Sequence, residues 1–246
     1  GQPAGEPGGG PVKVGVAITD IFTGLYAANA VLAALYQRRD SGEGCHIDLA
    51  LMDVQVGVLA NQALNYLTSG QVPQRLGNAH PNIVPYQSFP TADGSIIIAV
   101  ANDEQFDRLC VFAGHPELAA DEKFKTNAQR VLNRDELIAK LRQVIAEKPS
   151  KHWLDGLEAN NVSSGPINDL EQVFNDPQVK HLGMAAKVDH PTRGPIELVG
   201  QPVRFHRTPW QIRSAAAELG EHTEAILAEL GYSKIDIEAL AERQVY

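Results

Sequence analysis

A chain of 246 residues, 43 % apolar and 21 % charged, is long enough for one large domain or two small ones and has the composition of a globular core, not of a disordered segment. Its formal net charge of -9 excludes a broad nucleic-acid surface, which needs concentrated Lys and Arg to displace counterions from phosphates. Cys45 and Cys110 show no CxxC or paired Cys/His spacing, so neither a disulfide framework nor structural zinc is indicated; with no charged-then-apolar leader and no stretch near ~20 apolar residues, a cytoplasmic protein without a membrane partner is expected.

The chain opens GQPAGEPGGGP, too rich in Gly and Pro to begin a helix or central strand, and reads as a linker or active-site loop of a longer polypeptide. Val12–Val16 is a short strand candidate, followed by a helix from about Asp20 to Arg39. Its apolar residues fall on every side, which predicts burial between layers. CHIDLAL alternates polar and apolar residues, the period of a half-covered strand, and Met52–Leu67 reads as a second helix ended by Ser69-Gly70. Strand, helix, strand, helix suggests an α/β layered domain.

From Gln71 the texture becomes a polar, Pro-bearing loop, QVPQRLGNAHPNIVP, suited to crossing between domains or over a site. YQSF and SIIIAV flank a hairpin signal at Asp93-Gly94. Asn102 with Gln105, and Asn168 with Glu171, have the spacing of capping boxes. DELIAKLRQVIAEK and KHWLDGLEANN are amphipathic helices, so about 86–184 reads as a smaller α+β domain. A strand pair around HPTRGPIEL and two helices, HTEAILAEL and KIDIEALAERQ, close the chain, the last opened by Ser233 with Asp236. The domain expectation is 1–70, 71–185 and 186–246.

Asp20 is the candidate of most interest. On spacing alone it is a helix N-cap, contributing ~1 kcal/mol. Its company points further: Thr19, Thr23 and Gly24 leave the backbone open, and the Ala-rich run beyond lets neighbours press close, as a rigidly held nucleophilic carboxylate requires.

VGVAITDIFTGLYAANAVLAALYQRRDSGEGCHIDLALMD resembles the active-site helix and following strand of the family III CoA-transferases of CaiB/BaiF type. GNAHPNIVPYQSFPTADG, NNVSSGPINDLEQVFNDPQV, GQPVRFHRTP and GEHTEAILAELGYS agree with that family in order, and GNAHPNIVPY is most like its dicarboxylate-handling members. The resemblance implies an α/β fold made of part of a Rossmann-like large domain plus a smaller α+β domain, and a front half lying outside this chain. It implies that Asp20 attacks an acyl-CoA thioester, forming a mixed anhydride and later an aspartyl thioester, while CoA passes to a carboxylic acid. Coenzyme A thioester is then a substrate, with no permanently bound cofactor, and an interlinked homodimer is the implied assembly.

An anhydride must be shielded from water. In one member of the family the corresponding position resembles a glycine run that folds over the aspartate. Here Leu76–Asn82 has one Gly, which suggests that Asn78, His80 or Asn82 hydrogen-bonds an acyl or acceptor carboxylate instead. His80 could serve as acid, base or neutral donor; Tyr86 is expected to pack under the hairpin. Two alternatives stand beside transfer: a 2-methylacyl-CoA racemase on the same scaffold, and a non-catalytic dimerisation or binding fragment. Arg204, Arg207 and Arg213 read as a solvated basic patch, Gly8–Gly10 as flexible linker. Cys45, His46 and Asp48 mimic metal ligands, but neighbouring strand residues face opposite ways and no fourth ligand is near, so no metal is expected.

Overall fold

The computed structural model describes residues 5–243; the first four residues of the Gly/Pro opening and the last three of the closing segment lie outside the described residues. The chain forms two compact units that divide between Ile167 and Asn168.

The first unit begins with three helices, α1 (Ile18–Ser41), α2 (Leu51–Gly57) and α3 (Ala60–Ser69). α1 starts two residues earlier than the sequence suggests, capped by Ala17 without a side-chain bond, and stops where Gly42 takes a left-handed conformation and donates to Arg38 O at 2.8 Å. It packs along α2. The expected single helix over 52–67 is broken in two: the chain turns at Val58-Leu59 and Ala60 sits at φ +47°.

Two strand expectations fail. Val12–Val16 and CHIDLAL carry no strand pairing, because no neighbouring strand stands beside them among the described residues and a lone strand cannot satisfy its own N–H and C=O groups. α1 is likewise not buried: none of its residues is, and Leu32 and Tyr36 are 65 % and 68 % exposed. By length and composition alone it is apolar enough to cross a bilayer, although Thr19, Asp20, Thr23 and Asn29 interrupt its apolar run.

The remainder of this unit is built as the sequence indicates. β1 (Tyr86–Pro90) and β2 (Ser95–Ala99) form the hairpin, with Asp93 accepting from Ser150 N at 2.7 Å and Thr91 Oγ1 at 3.1 Å. Helices α4 (Asp103–Phe112), α5 (Pro116–Ala120), α6 (Asn127–Leu132), α7 (Arg134–Ala146) and α8 (Ser150–Ala159) follow, then β3 (Ser163–Pro166), which pairs antiparallel with β2 to give the order β1-β2-β3. Asn102 caps α4 by accepting from Gln105 N at 2.8 Å. Phe89, Ile96 and Ile98 of the sheet meet Phe106 and Leu109 of α4, Leu141 and Ile145 of α7, and Trp153 and Leu157 of α8 in one core. Each such side chain contributes roughly 1.5–3 kcal/mol on burial, and Trp153 satisfies its indole N–H on Ile145 O at 2.8 Å.

The second unit holds α9 (Leu170–Asn175), α10 (Pro177–His181), the antiparallel pair β4 (Ala185–His190) and β5 (Gly194–Val199), then α11 (Thr223–Glu229) and α12 (Lys234–Glu242). The expected cap at Asn168 lies one residue on: Asp169 accepts from Gln172 N while the Gln172 amide returns to Asp169 N, a reciprocal pair that Asn168 with Glu171 does not form. Ser233 and Asp236 make the expected box on α12.

Candidate active site: a carboxylate in an apolar cavity and a strapped loop

Asp20 is the third residue of α1 and not its cap. In the first turn the backbone N–H groups have no partner four residues back, and the helix dipole favours negative charge there; the Thr19 and Asp20 amides accordingly make no backbone hydrogen bond. Asp20, itself exposed, lines a cavity of about 730 Å³ that is open to solvent and walled by Val12, Val14, Val16, Phe22, Val56 and Leu59, among others. Lys13 is the one other charged side chain in that lining. Thr19 Oγ1 donates to Gln55 Oε1 of α2, and Thr23 Oγ1 donates to Thr19 O at 2.7 Å, so the turn bearing Asp20 is pinned to α2. Gln55 and Lys13 escape sequence reasoning; the available signal was a lone amide in LMDVQVG and a lone cation in VKVGV.

The loop over 77–85 is held from two sides. Asn127, Arg130 and Arg134, spaced three and four residues apart along α6 and α7, grip its main chain. Asn127 accepts from Val84 N at 3.1 Å and donates to Asn82 O at 2.8 Å. Arg130 Nε donates to Val84 O at 2.7 Å, and Arg134 Nη2 to His80 O and Pro81 O at 2.9 and 2.8 Å. From α3, Asn65 exchanges two amide hydrogen bonds with Asn82, at 2.8 and 3.0 Å. Asn78 is paired with Ser88 through both its amide groups.

His80 Nδ1 accepts from Asn82 N at 3.1 Å, so the ring proton of the neutral form is assigned to Nε2, which has only a long 3.5 Å approach from the Asn61 amide. Burial, and then the Arg134 guanidinium, lower the His80 pKa. The ring stacks on Tyr86 with centroids 5.3 Å apart; Tyr86 is 37 % exposed and not tucked beneath the hairpin as expected.

Asn78, His80 and Asn82 are thus brought together, but none lines the cavity that holds Asp20. Gly5 and Glu6 fold onto the loop: Gly77 N donates to Gly5 O at 2.9 Å, and a Cβ added at Gly77, φ +61°, would come within 2.9 Å of Glu6 Oε1. Cys110 is no nucleophile, since burial above all pushes its thiol up to about 12. Arg204 donates to Leu182 O, and the described residues contain no cluster of three or more metal-ligating side chains.

Comparison with known proteins decides the family. The family model described as CoA-transferase family III matches residues 2–223. The chain belongs to CoA-transferase family III. It is 48 % identical over 231 residues to a succinate–glutarate CoA-transferase of Agrobacterium fabrum, covering 92 % of this chain and 56 % of that protein. It is 42 % identical to the human succinyl-CoA:glutarate CoA-transferase, covering 92 % and 52 %. Among solved structures, a CAIB/BAIF family protein from Brucella suis is 47 % identical with a TM-score of 0.73, covering 92 % of this chain and 59 % of that one. This family III chain therefore has the fold the sequence resembles, and it spans about half the length of the curated relatives it matches.

Proposed function

We propose that the protein carrying this chain transfers CoA from an acyl-CoA thioester to a carboxylic acid, with Asp20 as the acyl acceptor. The observation that carries this reading is one carboxylate in the first turn of a long helix, facing a cavity with mostly apolar walls. The family and the names of the relatives support transfer over racemisation.

The bookkeeping closes in four exchanges. An Asp20 oxygen attacks the thioester carbonyl; the C–S bond breaks and CoA leaves as thiolate, giving an aspartyl–acyl anhydride. The thiolate attacks the aspartyl carbonyl, the donor acid leaves as carboxylate, and an aspartyl thioester remains. The acceptor carboxylate displaces the thiolate at the same carbonyl, forming a second anhydride. The thiolate then attacks the new acyl carbonyl and Asp20 leaves as carboxylate. Every step exchanges an acyl group between species of similar transfer potential, which is what a covalent intermediate offers. The unpaired Thr19 and Asp20 amides are suited to hold the oxyanion of each tetrahedral stage, and the apolar walls, once covered by the rest of the polypeptide, to keep water out.

His80 is proposed as a neutral Nε2–H donor to a substrate carboxylate, because its other nitrogen is occupied. Asn78 and Asn82 are proposed to shape the same loop. Dicarboxylate substrates, a cytoplasmic homodimer, and the division at 1–70, 71–185 and 186–246 complete the reading; the open apolar flanks of α1 suit a protein cover supplied by the rest of the polypeptide and a second subunit.

The test is mass spectrometry of the full-length protein given succinyl-CoA and quenched with hydroxylamine. Hydroxamate on the peptide holding Asp20 is expected. Its absence alongside intact turnover overturns the assignment.

A further inference from the structure

We infer that Lys13 is the residue that selects dicarboxylyl over monocarboxylyl substrates, by pairing its ammonium with the distal carboxylate of an acyl group bound at Asp20. This rests on the CoA-transfer reading of the same cavity.

Lys13 and Asp20 are the two charged side chains of the lining, and the other walls are mainly Val, Ile, Leu and Phe. Walls of that composition suit a methylene chain, and a second carboxylate among them is stabilised by a nearby cation, the more so once Val12, Val14, Val16 and Val56, each more than half exposed in this chain, are covered. Lys13 is such a cation, and it is uncommitted: among the described residues it makes no hydrogen bond and no ion pair, with Asp20 or any other acid. Its place is also suitable. It lies on the irregular segment that leads into α1 and lines the same cavity as the carboxylate that is acylated. An acyl chain held covalently at Asp20 would thus have a counter-charge in the same lining. Lysine suits the task, because its single flexible ammonium can follow chains of different length, where a guanidinium would demand a fixed fork.

The relatives bear on the same point. Those similar to this chain are named for succinate and glutarate, and others for mesaconate and oxalate. All four acids carry two carboxylates, and a site that takes them gains by neutralising a charge remote from the reacting one; the relative named for oxalate is also named for acetyl-CoA, whose acyl group has no second carboxylate.

The experiment uses the full-length protein and compares kcat/KM for succinyl-CoA with glutarate against butyryl-CoA with pentanoate, in the wild type, Lys13→Met and Lys13→Arg. The expected result is a fall of at least tenfold in the succinyl-to-butyryl ratio for Lys13→Met, with most of it recovered in Lys13→Arg. A parallel loss with both substrate pairs would mean that Lys13 meets the CoA moiety or supports the fold, and would overturn the proposal, as would an unchanged ratio. Asp20→Asn is run beside them. If it transfers CoA as fast as wild type, the covalent reading itself has failed, which is distinct from a failure of Lys13 alone.

Discussion

An acid in the first turn of α1 is held in place by its neighbours and not by its own bonds. Thr19 reaches across to Gln55, and Asp20 beside it is left facing the cavity. His80 is the reverse case, since its main chain and one ring nitrogen are both committed. Because burial and Arg134 lower its pKa, the folded state binds the His80 proton less readily than the unfolded chain does. The sign follows: the stabilisation is fully present above the unfolded value of about 6.5 and is lost as pH falls through it toward the folded value. An NMR titration of the imidazole should give a midpoint below that of a histidine peptide, and Arg134→Gln should move it part of the way back. A midpoint at or above the peptide value would contradict this account.

At the scale of elements, Arg130 ties α6 to the root of the loop. Its side chain is wholly buried, pairs with Asp103 at 2.8 Å, lies over the Phe106 ring and donates to Val84 O and Phe124 O. Arg130→Met would strand those carbonyls, leaving the half-exposed Asp103 to water, and should cost roughly 1–3 kcal/mol per stranded carbonyl in urea unfolding; a total loss below about 1 kcal/mol would mean that water replaces the guanidinium. Much of this level was legible in the sequence. The 91–94 turn, the caps at Asn102 and Ser233 and the helical periods of α7 and α8 are local signals, and they determine local structure. Val12–Val16 and CHIDLAL were misread because a strand is defined by its partner, and their alternation carries no information on whether one is adjacent. The side chains of Asn78, Asn82 and Asn65 were opaque for a related reason: an amide pair joins residues 17 apart in the chain, and nothing in either segment announces the other. Asp20 stood out because an acid at the head of an Ala-rich helix is itself a local pattern, but its exact turn position was not.

The molecule as a whole is unevenly covered. Its hydrophobic core lies within residues 84–162, whereas α1 shows Leu25, Leu32, Leu35 and Tyr36 to solvent. Apolar surface on that scale marks an interaction face. Residues 1–246 expressed alone should bind the dye ANS strongly and form heterogeneous associates on size exclusion, whereas the full-length protein should bind little dye and elute as one defined dimer. A monomeric fragment with no dye signal would show that α1 is closed by its own chain.

The bonds from Asn127, Arg130 and Arg134 to residues 80–84 reach only peptide groups, and Asn65 alone of the holding residues takes a displayed side chain, that of Asn82. A descendant of this protein could therefore exchange what the loop presents while its path stays as it is. Such a mounting lets new preferences be tried without risk to the architecture.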